Sequence, residues 1–295
     1  MSPWRSVRPE PGRFHDEGSD DPPRIVLERI ESGDLHRRTE RFRMMHRIAY
    51  RDREYGDLLV PADLGTFESD LTSVPTIFTW LVPRTGRHLP PALLHDGLVH
   101  GPDEPASYVS VEGHVLDRVA ADRVFRAAMR DTDTGPVLSW LIWSAVTLST
   151  IWHGSASWSP ARHLRYRLPA LATVVAVAVL GVLATLDLFD VLDGVPWMGH
   201  RSFAMELLGG LAGAVVVPFL LGLTWGRFAV AGVVTGVALA VLLHVSAALL
   251  LITLAYQAAE WVARRRPVAA IVIAGVVVAA HVVLILLFLG PFRST

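Results

Sequence analysis

The sequence predicts a small α+β domain, short antiparallel strands followed by three to four helices, joined to an all-α transmembrane region of four helices. Three observations carry that prediction. The 295 residues are 52% hydrophobic and only 19% charged, with a mean hydropathy of +0.39, more apolar than an ordinary soluble domain. The charges divide near residue 161, with 18 basic against 23 acidic groups before it and 9 against 5 after it. Four nearly charge-free stretches in the second part are each long enough to cross a hydrocarbon core of ~30 Å.

Composition also excludes. Without cysteine there is no disulfide framework, no Cys-ligated zinc and no thiol nucleophile. The acidic balance of the first part argues against nucleic acid as a partner. Residues 1–35 carry Pro, Gly, Asp16, Glu17, Asp20 and Asp21 and no apolar h-region. They read as a disordered tail and not as a signal peptide.

The small domain is expected over residues 36–158. From 41 to 67, β-favouring runs (Phe42, Ile48, Tyr50; Leu58, Leu59, Val60) separated by turn residues predict an antiparallel meander. Residues 74–82 predict a short helix capped by Ser73, with Pro75 in its first turn. Residues 90–99 predict a second helix, and after a loop over 100–110 residues 114–130 predict a third. On the third, Val115, Val119, Asp122, Phe125 and Met129 share one side. Residues 137–152 are apolar but short for a span and hold five hydroxyl residues, so a core helix is expected, with a fifth span as the alternative.

The transmembrane domain, 159–295, has helices expected near 168–186, 203–225, 228–256 and 268–289. Gly209 with Gly213, and Gly232 with Gly236, form small-x-x-x-small pairs that permit close helix approach, although glycine is frequent in such helices anyway. Arg162, Arg165 and Arg167 before the first span favour a cytoplasmic small domain, in a bacterial plasma membrane. Asp187, Asp190 and Asp193 fit the outside, while Arg264, Arg265 and Arg266 oppose the same rule. His244 and His281 are intramembrane ionisable groups, candidates for function or for hydrogen bonds between helices.

Chemistry concentrates in three motifs of the small domain: Asp70-Leu71-Thr72-Ser73-Val74-Pro75, Leu94-His95-Asp96-Gly97-Leu98 and Ala121-Asp122-Arg123-Val124-Phe125. Pro91, Leu94, His95 and Leu98 form one helical stripe, so His95 should face inward. Asp122 lies in the stripe of the next helix. Two inward titratable groups on successive helices are expected to pair, which fixes the imidazole tautomer and raises its basicity, as a general base requires. The alternative is a buried pair that only fixes helix packing. Asp96, turned about 100° away, reaches a metal ion or the solvent face, or pairs with His100. Ser73 reads as a cap more than a nucleophile, and Asp70 as a partner of turn amides.

The order and spacing of these motifs, with Val60-Pro61-Ala62 and Phe67 before them, resemble an uncharacterised phage and bacterial domain-of-unknown-function family over about residues 40–152. That family's pattern reads approximately V-P-x-G-F-x-T-D-x-A-S-x-P, H-D-x-L-Y and A-D-x-x-F. Ser69, Thr72 and Val99 depart from it without removing a titratable group. The resemblance implies a domain boundary and no reaction. His95, Asp96 and Asp122 are also similar to the site of secreted phospholipases A2, where a His activates water, its neighbouring Asp binds calcium and a remote Asp orients the His. The glycine-rich calcium loop and nearby cysteines of those enzymes are missing here. A metal-dependent phosphohydrolase pattern is a further analogy, with His88 or His46 as the additional ligand.

The functional expectation is a membrane-anchored hydrolase acting on a lipid or an envelope intermediate. His95 would serve as base, Asp122 as its orienter and Asp96 as a metal or water ligand, with a divalent metal as the candidate cofactor. The alternative is a non-catalytic, phage-related assembly module that binds a protein partner. A channel or transporter is the third reading, and no pore-lining charge pattern favours it. Membrane lipids are expected partners in every case.

Overall fold

The computed structural model describes residues 14–19, 21–32, 39–71, 81–83, 85–99, 107–198 and 201–289. The chain resolves into two compact units, Met1–Leu243 and His244–Thr295.

The first unit opens with two small antiparallel sheets. Strands β1 (Phe14–Asp16), β4 (Ile48–Asp52), β5 (Gly56–Val60) and β7 (Val109–Ser110) pair in the order β1-β4-β5-β7. Strands β2 (Leu27–Ser32), β3 (Thr39–Met44) and β6 (Glu68–Ser69) form the second sheet, in the order β2-β3-β6. The β4–β5 hairpin, with Ile48 opposite Val60 and Tyr50 opposite Leu58, is the meander expected from the sequence. Ile48, Tyr50, Leu58 and Val60 are all fully buried, and Ala49, on the other face of β4, is buried as well.

The tail expected over residues 1–35 is corrected by β1 and β2. Phe14 pairs with Tyr50 across the sheet, is buried, and packs its ring 4.7 Å from the Tyr50 ring. β2 runs in register with β3 from Leu27 opposite Met44 onward. A polar segment gains these partners only from strands later in the chain, so its local composition understates its order.

Helices α1 (Leu89–Leu98), α2 (Arg118–Asp131) and α3 (Pro136–His153) follow. Residues 72–80, including Ser73 and nearly all of the helix expected at 74–82, lie outside the described residues; Leu81 and Val82 are in a turn. α1 begins with prolines in its first turn, where no intrahelical N–H is needed. It buries Leu93, Leu94 and Leu98 on the hairpin core. α2 starts four residues later than expected. Asp117 caps it by accepting the Ala120 N–H at 2.9 Å, which leaves Val115 outside the helix and 89% exposed. The Asp117 carboxylate also accepts the Ser155 and Ser157 hydroxyls, tying α2 to the turn after α3. Arg123 of α2 donates to Asp52, and Tyr50 donates to Asp131, so the hairpin holds the middle and the C-terminal end of this helix.

α3 packs Ile142 and Leu138 on Phe125 and Met129 of α2, as expected for a core helix. It is followed by α4 (Pro160–Leu188), α5 (Phe203–Leu223), a 3-10 turn (Gly226–Phe228), α6 (Ala229–Arg265) and α7 (Pro267–Leu289). Among the described residues, three helical segments are long and apolar enough to cross a membrane: Pro160–Leu188, Phe203–Leu223 and Gly226–Val245. The fourth expected span is helical over Pro267–Leu289, 23 residues, within which Pro267–Ala280 is an apolar helix. At the expected boundary near residue 158, Ile151, Ala170, Trp225 and Phe228 form one buried cluster, joined by Leu148, Trp158 and Tyr166.

In the second unit α7 follows α6 after Arg266. His244 is exposed, and the side chain of His281 lies outside the described residues.

Candidate functional site

α1 and α2 lie against each other beneath the hairpin, and the inward stripes of both helices meet. His95 Nε2–H donates to Asp122 Oδ1 at 2.9 Å, with the two side chains 13% and 5% exposed. One turn on from Asp122, Phe125 places its ring 4.7 Å from the imidazole, tilted by 31°. Positions i and i+3 of one helix thus grip the ring by its edge and by its face. The carboxylate at Nε2 selects the tautomer with its proton there, leaving Nδ1 as the basic nitrogen. No hydrogen bond joins Nδ1 to a described residue. Asp122 Oδ2 is buried and likewise has no hydrogen-bond partner among the described residues.

Asp96 points elsewhere, as its rotation around α1 requires. Its Oδ2 accepts the Ser69 hydroxyl at 2.5 Å, and Ser69 Oγ in turn accepts the Leu71 N–H at 2.8 Å. Leu71, buried with φ 69°, closes this turn in the left-handed region that a leucine seldom adopts. Burial pushes the Asp96 carboxyl up to about 6. The Ser69 hydrogen bond and the His95 charge oppose the rise, and Asp70 adds to it.

The structure therefore brings His95 and Asp122 together as the helical stripes predicted. Asp96 and Asp70 stand near one another on the β6 side of α1, and Ser73 lies outside the described residues. Ser69 and Phe125 are the residues sequence reasoning missed as site members. Phe125 had the right signal, a place in the Asp122 stripe, but was read as core. Ser69 was marked only as the hydroxyl standing where the family pattern has Thr, and nothing named its partner, which lies 27 residues away.

The metal analogies find no ligand set. Among the described residues, no group of three or more His, Asp or Glu is placed to hold a metal ion. His88 is buried with Nε2–H donating to the Pro83 carbonyl at 2.8 Å, and His46 is exposed in the loop after β3. Asp96 has a serine hydroxyl where the phospholipase likeness implied a cation.

Residues 42–146 match the model of a family described as Protein of unknown function (DUF1353). The resemblance expected over about residues 40–152 holds there, across about a third of the chain. The matched segment runs from β3 into α3 and contains Ser69, His95, Asp96, Asp122 and Phe125. Searches of curated proteins and of solved structures found no match.

Proposed function

We propose that the small domain is a hydrolase in which His95 acts as general base, Asp122 orients it, and Asp96 is a neighbouring acid. The single observation that carries this reading is the imidazole held by a buried carboxylate at Nε2 while Nδ1 makes no hydrogen bond to a described residue. That is the arrangement in which a histidine takes a proton from water or a hydroxyl and the carboxylate stabilises the imidazolium that results. The unpartnered Oδ2 of Asp122 can accept one further donor, from water or from a substrate. Asp96, with its Oδ2 accepting the Ser69 hydroxyl and its carboxyl pushed up to about 6, keeps a protonated fraction near neutral pH on the β6 side of the same helix. Attachment to candidate membrane spans favours a lipid or envelope intermediate as substrate, and a bacterial plasma membrane is the location this reading proposes.

The test is turnover by the full chain in neutral detergent. Bacterial lipid extract and chromogenic carboxylic and phosphate diesters serve as probes. His95→Ala and Asp122→Asn should each lower turnover by ~10²- to 10⁴-fold, the range of a general base, with the circular dichroism spectrum unchanged. Equal turnover in wild type and both variants would place the activity elsewhere.

A second reading, a non-catalytic module for assembly with a protein partner, is favoured by the depth of the pair and its position bridging α1 and α2. It predicts no turnover of any probe, and unfolding in Asp122→Asn, since breaking a buried pair costs ~3 to 5 kcal/mol.

A further inference from the structure

Arg126 and Arg130 lie one turn apart on α2, on the face opposite the Ala121 and Val124 contacts with the hairpin core. They line a cleft of about 260 Å³ between the end of α2 and the start of α3, with Asp133, Thr134, Gly135, Pro136, Ser139 and Trp140 completing the wall. Arg126 is held in place: its guanidinium carbon sits 3.5 Å over the Trp140 ring and 4.8 Å over that of Trp143. Stacking fixes the plane of the guanidinium and leaves its N–H edge free to donate.

Neither arginine forms an ion pair or hydrogen bond with a described residue. Burial and the neighbouring Arg130 charge both disfavour the charged form of Arg126, so the two cations stand uncompensated beside each other. The acid of the lining, Asp133, faces Arg87 at 3.6 Å and is solvated.

We propose that this cleft binds a phosphate group, carried by a phospholipid headgroup or by a small soluble phosphate. Two guanidiniums, one preorganised on an indole, suit an oxyanion that accepts several N–H bonds at once. The aromatic floor supplied by Trp140 suits the apolar part of a phosphoester beside the anion. The site is separate from the His95–Asp122 pair, and its ligand does not depend on the hydrolase reading.

The experiment uses the full chain in nanodiscs of phosphatidylcholine, with Arg130→Gln and the double variant Arg126→Gln/Arg130→Gln. Inorganic phosphate is titrated at constant ionic strength by calorimetry. In a second arm, nanodiscs containing phosphatidylglycerol are compared by native mass spectrometry for retained lipid. Loss of one charge-assisted contact is expected to weaken binding by about tenfold or more in Arg130→Gln, and binding should vanish in the double variant. An effect with inorganic phosphate assigns a small soluble phosphate; an effect confined to phosphatidylglycerol assigns the headgroup. Arg130 is exposed, so its variant should fold even if loss of the Arg126 stack does not permit the double variant to do so. A folded Arg130→Gln protein that binds both probes as the wild type does, or a wild type that binds neither, overturns the proposal.

Discussion

Burial between α1 and the β6 turn pushes the Asp96 carboxyl up to about 6, so the folded chain holds that proton more tightly than the unfolded chain does. The sign follows directly. Between about pH 4, the ordinary aspartate range, and pH 6, the unfolded state has released the proton that the folded state keeps, and stability falls as pH rises through that window. Asp96→Asn keeps an acceptor for Ser69 and removes the titration. It should therefore gain stability over the wild type on going from pH 4 to pH 7, by up to about 3 kcal/mol. Thermal unfolding of both proteins in the same detergent at the two pH values measures the difference. A constant offset between them would mean that Asp96 is solvated in the folded protein. His95 and Asp122 were legible because helical stripes reveal which side chains face inward even when the partner helix is unknown. Ser69 and the fate of Asp96 were not, since a loop-to-helix contact has no period to reveal it.

At the level of elements, local pattern identified α1, α2 and α3 and misjudged the N-terminal strands, whose order depends on pairing with distant segments. The glycine pairs show the same division. Gly232 faces Gly222 of α5, where a Cβ would stand 2.7 Å from the Gly222 carbonyl oxygen, so this pair does bring two helices together. Gly209 and Gly213 instead face Trp197 in the loop before α5, a partner that spacing alone could not name. Gly222, which no pair motif marked, is the tighter site. An added methyl there would lie 2.5 Å from the Gly232 carbonyl carbon and the Val233 Cα, both backbone and unable to swing aside. Gly222→Ala should destabilise the α5–α6 hairpin by ~1 to 3 kcal/mol, as overpacking does. Gly275→Ala, where nothing lies within 4 Å, should be neutral or better. Melting temperatures of the two variants in detergent make the comparison. An undiminished Gly222→Ala protein would show that the helices can separate at that point without cost.

Across the first unit, the ends of the apolar helices differ in chemistry. The start of α4 and the end of α5 meet in an aromatic cluster, with Phe228 5.7 Å from Trp158 and 5.1 Å from Tyr166, and with the Trp225 indole N–H donating to Thr173. Arg162, Arg165, Arg167 and Arg227 gather at this end, with Arg167 stacked on Trp152. At the other end, Asp187 accepts the Gly194 and Val195 N–H groups and closes an acidic loop that also holds Asp190 and Asp193. For helices that cross a bilayer, the positive-inside tendency predicts the aromatic, arginine-rich end on the cytoplasmic side and the acidic loop on the opposite one. The absence of cysteine makes the consequence cleanly measurable. Single replacements Ser157→Cys, Asp193→Cys and Arg227→Cys, labelled in inverted and right-side-out bacterial vesicles with an impermeant maleimide, should fall into two classes. Positions 157 and 227 should react from the cytoplasmic side and position 193 from the opposite one. Reaction of all three from one side would mean that α4 and α5 lie along the membrane without crossing it. The reverse sidedness would keep the crossings and place the His95–Asp122 pair outside the cell, restricting its substrates to those of the envelope.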